Sequence, residues 1–275
     1  MPELPEVETV KETLKKQILN KTIKDVLVYY DKMLENINKN DFIKRLKNQK
    51  IIDIKRKGKW LIFELDNYYL LSHLRMEGKY YIKNNNDEVP RHQHIIFIFE
   101  DDIELRYNDT RKFGRMYLLD KDKAYNEKPL NELGYEPWDE SLTPVYLKEK
   151  YKNKKIPIKT ALLDQSIIVG VGNIYADEIL FLSKINPHKK SCDLNNEELL
   201  NIIDNTKRTL EKAIKLGGTT IKSYTSSEGV HGRFQNELLV HTKDICPVCN
   251  NKIVKEKING RGTYYCEKCQ KNNCI

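Results

Sequence analysis

The sequence predicts a multidomain α+β protein in which a leading helix, a strand-rich region, a helical region and a cysteine-rich tail follow one another along 275 residues. Three observations support this order: a helical apolar period at the N-terminus, short β-branched and aromatic runs over the next hundred residues, and a return to helical periodicity in the second half. The length suits one large domain, or two ordinary domains with a small appendage.

The leading helix is predicted over residues 4–19. Pro5 suits a first helical position, and glutamates near the start and lysines near the end follow the helix dipole. The buried stripe consists of apolar residues three and four apart: Val7, Val10, Leu14 and Ile18.

Strand-like runs then recur as far as about Leu119, separated by polar turns. Many short strands behind a single helix favour a β-sandwich or a barrel, and we place this domain at residues 1–134. The predicted strands are Ile23–Tyr30, Ile51–Ile54, Trp60–Leu65, Tyr69–Leu74, Lys79–Ile82, His94–Phe99 and Arg115–Leu119.

A segment containing Gly134, Pro137 and Pro144 indicates a linker, placed at 135–150, before a helical domain at 151–240. The clearest helix there is Glu197–Leu216. Asn195 and Glu198 resemble a capping box, and two glycines follow the helix.

The tail, 241–275, contains Cys246, Cys249, Cys266 and Cys269, with sixteen residues between the two CxxC pairs. Each pair places two thiolates on one tight turn, and this spacing is typical of a four-thiolate structural zinc site. A redox pair or chance clustering is the alternative. Cys192 and Cys274 lie outside the pattern.

The formal net charge is +8, which is compatible with nucleic-acid binding but does not establish it. The excess is segregated: residues 44–59 carry eight basic residues against Asp53, and residues 245–275 carry six against two acids. Segregation favours a nucleic-acid partner over a Lys-rich solvated face. A long apolar run and a basic leader are both lacking in the sequence, so we expect a cytoplasmic protein without a membrane partner.

The N-terminus begins Met1-Pro2-Glu3. If Met1 is removed, Pro2 carries a secondary amine, which can attack an aldehyde carbon and form an iminium. Glu3 could protonate a leaving group or a ring oxygen. Proline near a start is common, so these residues alone do not establish catalysis.

Several motifs resemble formamidopyrimidine-DNA glycosylase, the bacterial family of enzymes that repair oxidised purines. They stand in family order along the whole chain: MPELPEVETV at 1–10, HLRMEG at 73–78, NDTRKFG at 108–114, GVGNIYA at 170–176 and the terminal cysteine pairs. The resemblance implies an N-terminal β-sandwich, a helical domain with a helix–two-turns–helix element, and a zinc-finger β-hairpin holding one structural Zn²⁺.

The resemblance also implies removal of a damaged base followed by strand cleavage through β,δ-elimination. Pro2 would be the nucleophile, Glu3 the acid and Lys59 the essential lysine of the family. Arg261, at the tip of the zinc hairpin, would reach a phosphate and completes the predicted catalytic set.

A damaged base must be flipped out of the stack before it can react. The resemblance assigns Met76, Arg111 and Phe113 to a wedge that fills the gap, with Arg111 reading the orphaned cytosine. It assigns further phosphate contacts to His73, His92, Lys154 and Asn173. The segment 223–234 is expected to form a loop that closes over the flipped base.

Thr110 departs from the family, which usually has proline there, and the tail 272–275 has no family role. The expected function is excision of 8-oxoguanine and formamidopyrimidines from duplex DNA by a monomer. The alternatives are an endonuclease VIII-like enzyme for oxidised pyrimidines and a zinc-ribbon DNA-binding protein without catalysis. Leu4, Met76 and the Arg111–Phe113 arrangement favour the purine branch.

Overall fold

A computed structural model describes residues 1–84, 87–219 and 232–271. The described chain divides into two compact units. The first contains residues 1–2 and 6–131, and the second contains residues 3–5, 132–219 and 233–271. The predicted loop at 223–234 lies largely outside the described residues, as does the tail 272–275.

Helix α1 spans Leu4–Ile18, which confirms the predicted leading helix. Its four stripe residues, from Val7 to Ile18, are buried in the core of the first unit. Its first residue, Leu4, is completely buried in the core of the second unit and donates its backbone N–H to the carbonyl of Gly170 at 3.1 Å.

The first unit is a β-sandwich of two four-stranded antiparallel sheets, with strand orders β1-β6-β7-β5 and β2-β3-β4-β8. This confirms the sandwich and excludes a closed barrel. Alternating apolar residues from both sheets form one buried core with α1. The strands are β1 Ile23–Val28, β2 Ile51–Lys57, β3 Trp60–Leu65, β4 Tyr68–His73, β5 Lys79–Asn84, β6 Gln93–Phe99, β7 Ile103–Asn108 and β8 Arg115–Asp120.

Two elements of this unit were not predicted. Helix α2, Lys39–Leu46, buries only Phe42 and Leu46 among lysines and asparagines, so its apolar stripe is short. Strand β7 lies inside its sheet between β5 and β6. Its sequence alternates apolar and polar residues as in a half-exposed strand, but the structure also buries the charged residues Glu104 and Arg106.

The second unit is helical and ends in a hairpin. Its helices are α3 Pro144–Tyr151, α4 Ile158–Leu162, α5 Asn173–Leu182 and α6 Asn196–Lys215. The capping box at the start of α6 is confirmed: Asn195 accepts from the backbone N–H of Glu198, whose carboxylate accepts from the backbone of Asn195. Helix α3 starts at Pro144, with Thr143 as its N-cap.

Strands β9, Val254–Ile258, and β10, Arg261–Tyr265, form the hairpin. Asn259 and Gly260 connect them and have φ values of 46° and 76°. Two central residues with positive φ are the signature of a type I′ turn, for which Asn-Gly is the preferred pair. In the described part of the chain, the helices are too short or too polar to cross a membrane.

Candidate active site and nucleic-acid interface

Pro2 belongs to the first unit and is buried, whereas Met1 is 45 % exposed. While Met1 is present, the nitrogen of Pro2 is part of an amide and has no basic lone pair. The predicted amine chemistry therefore requires removal of Met1, which is the exposed residue of the two.

Glu3 is 2 % exposed and its carboxylate sits on the N-terminus of α5. Its Oε1 accepts the backbone N–H of Ile174 at 2.9 Å, and its Oε2 accepts that of Tyr175 at 3.4 Å. A helix N-terminus has free amides and a positive dipole end, so it holds a carboxylate in a fixed orientation.

The GVGN motif makes this contact possible. A Cβ atom at Gly172 would lie 2.3 Å from Cδ of Glu3, so any larger residue would displace the carboxylate. Gly172 is also the N-cap of α5, and Asn173 is the first residue inside the helix. The amide of Asn173 instead donates to the carbonyl of Gly262 at 3.0 Å.

Lys59 lies in the tight turn between β2 and β3 and is 6 % exposed, whereas Lys57 is only half-buried. Pairing of Trp60 with His73 across β3 and β4 brings Lys59 and His73 to the same end of the sheet. The predicted lysine is therefore more buried than Lys57 and lies next to a predicted phosphate contact.

His73 is 9 % exposed, and burial lowers its pKa to about 3, with the charges of Arg75 and Lys59 acting in the same direction. Its Nδ1 accepts the backbone N–H of Arg75 at 3.0 Å. The ring is therefore neutral near pH 7 with its proton on Nε2, which makes that nitrogen a donor for a phosphate oxygen.

The three predicted wedge residues lie on two loops of the first unit. Met76 is 38 % exposed and Phe113 is 44 % exposed, so neither is the core residue that its type would favour. The guanidinium of Arg111 stacks over the ring of Phe113, 4.7 Å from its centroid. Side chains of this kind are available to enter a duplex.

Asp109, which the sequence analysis did not single out, organises the second of these loops. It is completely buried, and its carboxylate accepts the backbone N–H groups of Arg111, Phe113 and Gly114 at 2.8 to 3.0 Å. Asp favours turns because its carboxylate can accept the backbone N–H two residues further on, but the sequence could not show that this carboxylate is buried.

His92 and Lys154 are partly exposed. His92 has a positive φ of 86°, and its carbonyl accepts the backbone N–H of Asp109 at 3.0 Å. Lys154 is paired with Asp164 at 2.7 Å. A phosphate at Lys154 would have to share this ammonium group with Asp164.

Arg261 is exposed at the start of β10, beside the type I′ turn. The next carbonyl, that of Gly262, accepts hydrogen bonds from Asn173 and from Nζ of Lys159, at 3.0 and 2.8 Å. These two donors fix the hairpin strand immediately after Arg261. Within the second unit, the predicted residue Asn173 is therefore hydrogen-bonded to the residue that directly follows Arg261.

Lys159 was also missed by the sequence analysis, because a lysine in a short helix gives no sign of burial. It is 1 % exposed and pairs at 2.7 Å with Asp177, which is equally buried. Burial lowers the pKa of Lys159, and the charge of Asp177 opposes that shift. Asp177 also contacts His241 at 2.7 Å, so the pair joins α4, α5, β10 and the segment before the cysteines.

The four cysteines of the tail lie together, with all four Sγ atoms within 4.8 Å of one another. A tetrahedral zinc ion with Zn–S bonds of about 2.3 Å separates its sulfurs by about 3.8 Å. The pairs Cys246–Cys269 and Cys249–Cys266 are 3.8 and 3.4 Å apart. The arrangement fits one zinc ion with four protein ligands and no open position.

The basic segment 44–59 is less positive than its sequence suggests. Four of its eight basic side chains pair with acids from elsewhere in the first unit: Arg45 with Asp120, Lys47 with Asp25, Lys55 with Glu64 and Arg56 with Glu8. Fewer cations of this segment are therefore available to phosphates than the count predicts.

Three family models match the chain in order. The formamidopyrimidine-DNA glycosylase N-terminal domain matches residues 1–116, the formamidopyrimidine-DNA glycosylase H2TH domain matches residues 133–225, and the zinc finger found in FPG and IleRS matches residues 245–272. With the four-cysteine cluster, these matches establish one structural zinc site. Fold and site together define a DNA glycosylase of the H2TH and zinc-finger class.

Curated relatives match the sequence of this chain over nearly its full length. Formamidopyrimidine-DNA glycosylase of Oceanobacillus iheyensis is 48 % identical, with 99 % of this chain and 98 % of the relative covered, and that of Bacillus cereus is 44 % identical, with 98 % and 99 % covered. A solved structure of Lactococcus lactis Fpg (MutM) is 39 % identical with a TM-score of 0.92, and covers 98 % of this chain and 100 % of its own. The chain belongs to the formamidopyrimidine-DNA glycosylase family.

Proposed function

We propose that this protein is a bifunctional DNA glycosylase and AP lyase of base excision repair. It acts as a monomer on duplex DNA and removes oxidised purines, chiefly 8-oxoguanine and formamidopyrimidines. Lactococcus lactis Fpg, similar in fold over the whole chain, was solved with DNA containing an abasic site and with DNA containing N7-benzyl-Fapy-dG. The observation that carries the proposal is the Pro2-Glu3 start with Glu3 fixed on the α5 N-terminus.

The chemistry follows from the two N-terminal residues. After Met1 is removed, the Pro2 nitrogen donates its lone pair to C1′ of the damaged nucleotide, and the bond from C1′ to the base breaks. The departing base takes up the proton that the Pro2 nitrogen loses. Glu3, the acid that assists base loss and ring opening, protonates the ring oxygen O4′ so that the sugar opens. The product is an iminium between Pro2 and C1′.

The iminium then makes strand cleavage possible because it accepts electrons from the neighbouring carbon. Loss of a proton from C2′ expels the 3′ phosphate, and a second elimination expels the 5′ phosphate. Hydrolysis of the iminium releases the sugar fragment and restores the amine. Lys59 and Arg261 are assigned to this stage as the cations that stabilise the departing phosphates.

DNA is held and opened by the remaining predicted residues. His73, His92, Lys154 and Asn173 are assigned to phosphates, which position the duplex without reading its sequence. Met76, Arg111 and Phe113 are assigned to the gap left by the flipped base, where the planar guanidinium of Arg111 can read the opposite cytosine. Zinc has a structural role, since four thiolates complete its coordination.

An endonuclease VIII-like preference for oxidised pyrimidines is the second candidate, because that branch shares the Pro-Glu start. The exposed stack of Arg111 on Phe113 favours the purine branch. A non-catalytic zinc-ribbon protein is the less favoured reading, since a binding module needs neither an N-terminal amine nor a carboxylate fixed beside it.

Borohydride trapping tests the proposal. Protein without Met1 is incubated with duplexes containing 8-oxoguanine opposite cytosine, an abasic site, or thymine glycol, and the covalent adduct is measured. We expect adducts with the first two duplexes and slower trapping on thymine glycol. Faster trapping on thymine glycol than on 8-oxoguanine would favour the pyrimidine branch, and no adduct with any duplex would refute the enzyme.

The matched control is the same chain with Met1 retained behind a blocked N-terminus. It has the same charge pattern and DNA-binding residues but an amide at Pro2, so it should bind DNA and form no adduct. Mass spectrometry of the intact protein shows which form is present.

A further inference from the structure

The two loops that carry the wedge residues are joined by a side-chain hydrogen bond. Thr110 Oγ1, on the loop of Arg111 and Phe113, donates to Oε2 of Glu77, which directly follows Met76. We propose that Thr110 and Glu77 are positioning residues that hold these loops at a fixed separation and thereby set how strictly the opposite base is read. This inference rests on the proposed function, since it assigns a purpose to the wedge.

The bases of the two loops already share one buried support. The hydroxyl of Tyr107, which is 1 % exposed, reaches toward a glycine of each loop. A Cβ atom would lie 2.3 Å from this hydroxyl at Gly78 and 1.8 Å from it at Gly114. Tyr107 therefore fixes the base of each loop, but it does not fix the distance between the exposed ends of the two loops.

On the second loop, backbone N–H groups on the C-terminal side of Thr110 donate hydrogen bonds to Asp109. Residues 109–112 form a turn in which Lys112 donates its backbone N–H to the carbonyl of Asp109 at 3.3 Å. Thr110 is the second residue of this turn, the position at which proline is preferred because its fixed φ stiffens the turn. The proline expected from the family resemblance would supply this stiffness within the loop itself.

Threonine lacks that ring and leaves the turn more freedom in the unbound protein. Its hydroxyl, however, supplies a hydrogen bond to a charged acceptor on the other loop, and such bonds are stronger than neutral ones. A hydrogen bond between the two loops thus replaces the stiffness that proline would give to one loop. Because Met76 and Arg111 are the direct neighbours of Glu77 and Thr110, this hydrogen bond lies one residue away from a wedge residue on each loop.

The test compares Thr110→Val, which keeps the side-chain shape but removes the hydroxyl, with Thr110→Ser, which keeps the hydroxyl. The readout is the ratio of 8-oxoguanine excision opposite cytosine to excision opposite adenine, measured in single turnovers with protein lacking Met1. We expect the ratio to fall by about threefold to tenfold in Thr110→Val, the range of a typical net hydrogen bond, and to stay within about twofold of the parent in Thr110→Ser.

A double-mutant cycle with Glu77→Ala shows whether the two residues act together. If they do, Thr110→Val/Glu77→Ala is no worse than either single variant, because the second substitution removes a bond that is already absent. Unchanged discrimination in Thr110→Val, an equal loss in Thr110→Ser, or additive losses in the cycle would overturn the proposal.

Cleavage of an abasic-site duplex separates this inference from the proposed function. An abasic site needs no base to be extruded, so Thr110→Val should cleave it at the parent rate and have an unchanged thermal midpoint. If the parent itself forms no trapped adduct with that duplex, the proposed function fails. If the parent reacts and the variants discriminate as it does, only the role of Thr110 and Glu77 fails.

Discussion

At the scale of single residues, Glu3 is held by two backbone donors of α5, at 2.9 Å from Ile174 and at 3.4 Å from Tyr175. The amide oxygen of a glutamine can keep the shorter of these hydrogen bonds and loses only the longer one, so Glu3→Gln removes the acid with little change in structure. We expect base excision to slow by about 10² to 10⁴-fold, the usual contribution of general acid catalysis.

Adduct formation with a pre-formed abasic site should suffer less in Glu3→Gln, because no base has to leave. Single-turnover excision and borohydride trapping measure the two steps separately. Glu12→Gln, which neutralises an exposed glutamate of α1 paired with Lys11, is the matched control. Equal losses in both steps would contradict the assignment of Glu3 to base release.

His73 leads to a prediction about pH. Its pKa is about 3 in the folded protein, held down mainly by burial, against 6.5 in an unfolded chain. Below pH 6.5 the unfolded state therefore binds a proton that the native state does not, and stability falls as the pH decreases toward 3. By pH 5 this lowers the free energy of unfolding by about 2 kcal/mol.

The comparison that isolates this effect is His73→Gln, which cannot titrate. Burial also lowers the pKa of His94, so the parent's own pH profile contains more than one histidine. The stability difference between parent and variant should shrink by about 2 kcal/mol from pH 7.5 to pH 5. Urea unfolding followed by Trp60 fluorescence in a Trp138→Phe background measures it, and a difference independent of pH would show that the pKa of His73 is the same in the folded and unfolded states.

At the scale of elements, the buried pair of Lys159 and Asp177 fastens the zinc hairpin to the helices. Asp177→Asn leaves the buried ammonium of Lys159 without its counter-ion, which typically costs about 3 to 5 kcal/mol. Glu237→Gln breaks the exposed pair with Lys212 and should cost less than about 1 kcal/mol. Unfolding of the second unit followed by Trp138 fluorescence compares them, and similar small losses would mean that Lys159 is hydrated or neutral.

The elements show which parts of the fold can be predicted from sequence. Helices α1 and α6 and most strands follow from apolar periodicity, and the hairpin cysteines follow from spacing. Strand β7 alternates apolar and polar residues and could have been predicted, but the burial of its salt bridge between Arg106 and Glu104 could not. The residues that organise the site, Asp109 and Lys159, were missed because their role comes from burial and from partners that are distant in sequence.

At the scale of the whole molecule, charge determines how binding depends on salt. The formal +8 and its two basic segments suggest many phosphate contacts. The structure pairs at least four of the eight cations of segment 44–59 with acids, so fewer cations than the sequence suggests can release counterions. Affinity for a duplex should fall with salt at a slope set by those few residues and not by the net charge.

Two variants with equal net charge test this. Arg261→Gln removes an exposed cation assigned to a phosphate, whereas Lys47→Gln removes one that is 3.0 Å from the carboxylate of Asp25. Binding is measured by fluorescence anisotropy from about 50 to about 300 mM salt, with a duplex containing a tetrahydrofuran analogue of the abasic site, which cannot form the iminium. The magnitude of the log–log slope should decrease by about 0.9 in Arg261→Gln. It should be unchanged in Lys47→Gln, and equal decreases in both would mean that net charge, not individual phosphate contacts, governs binding.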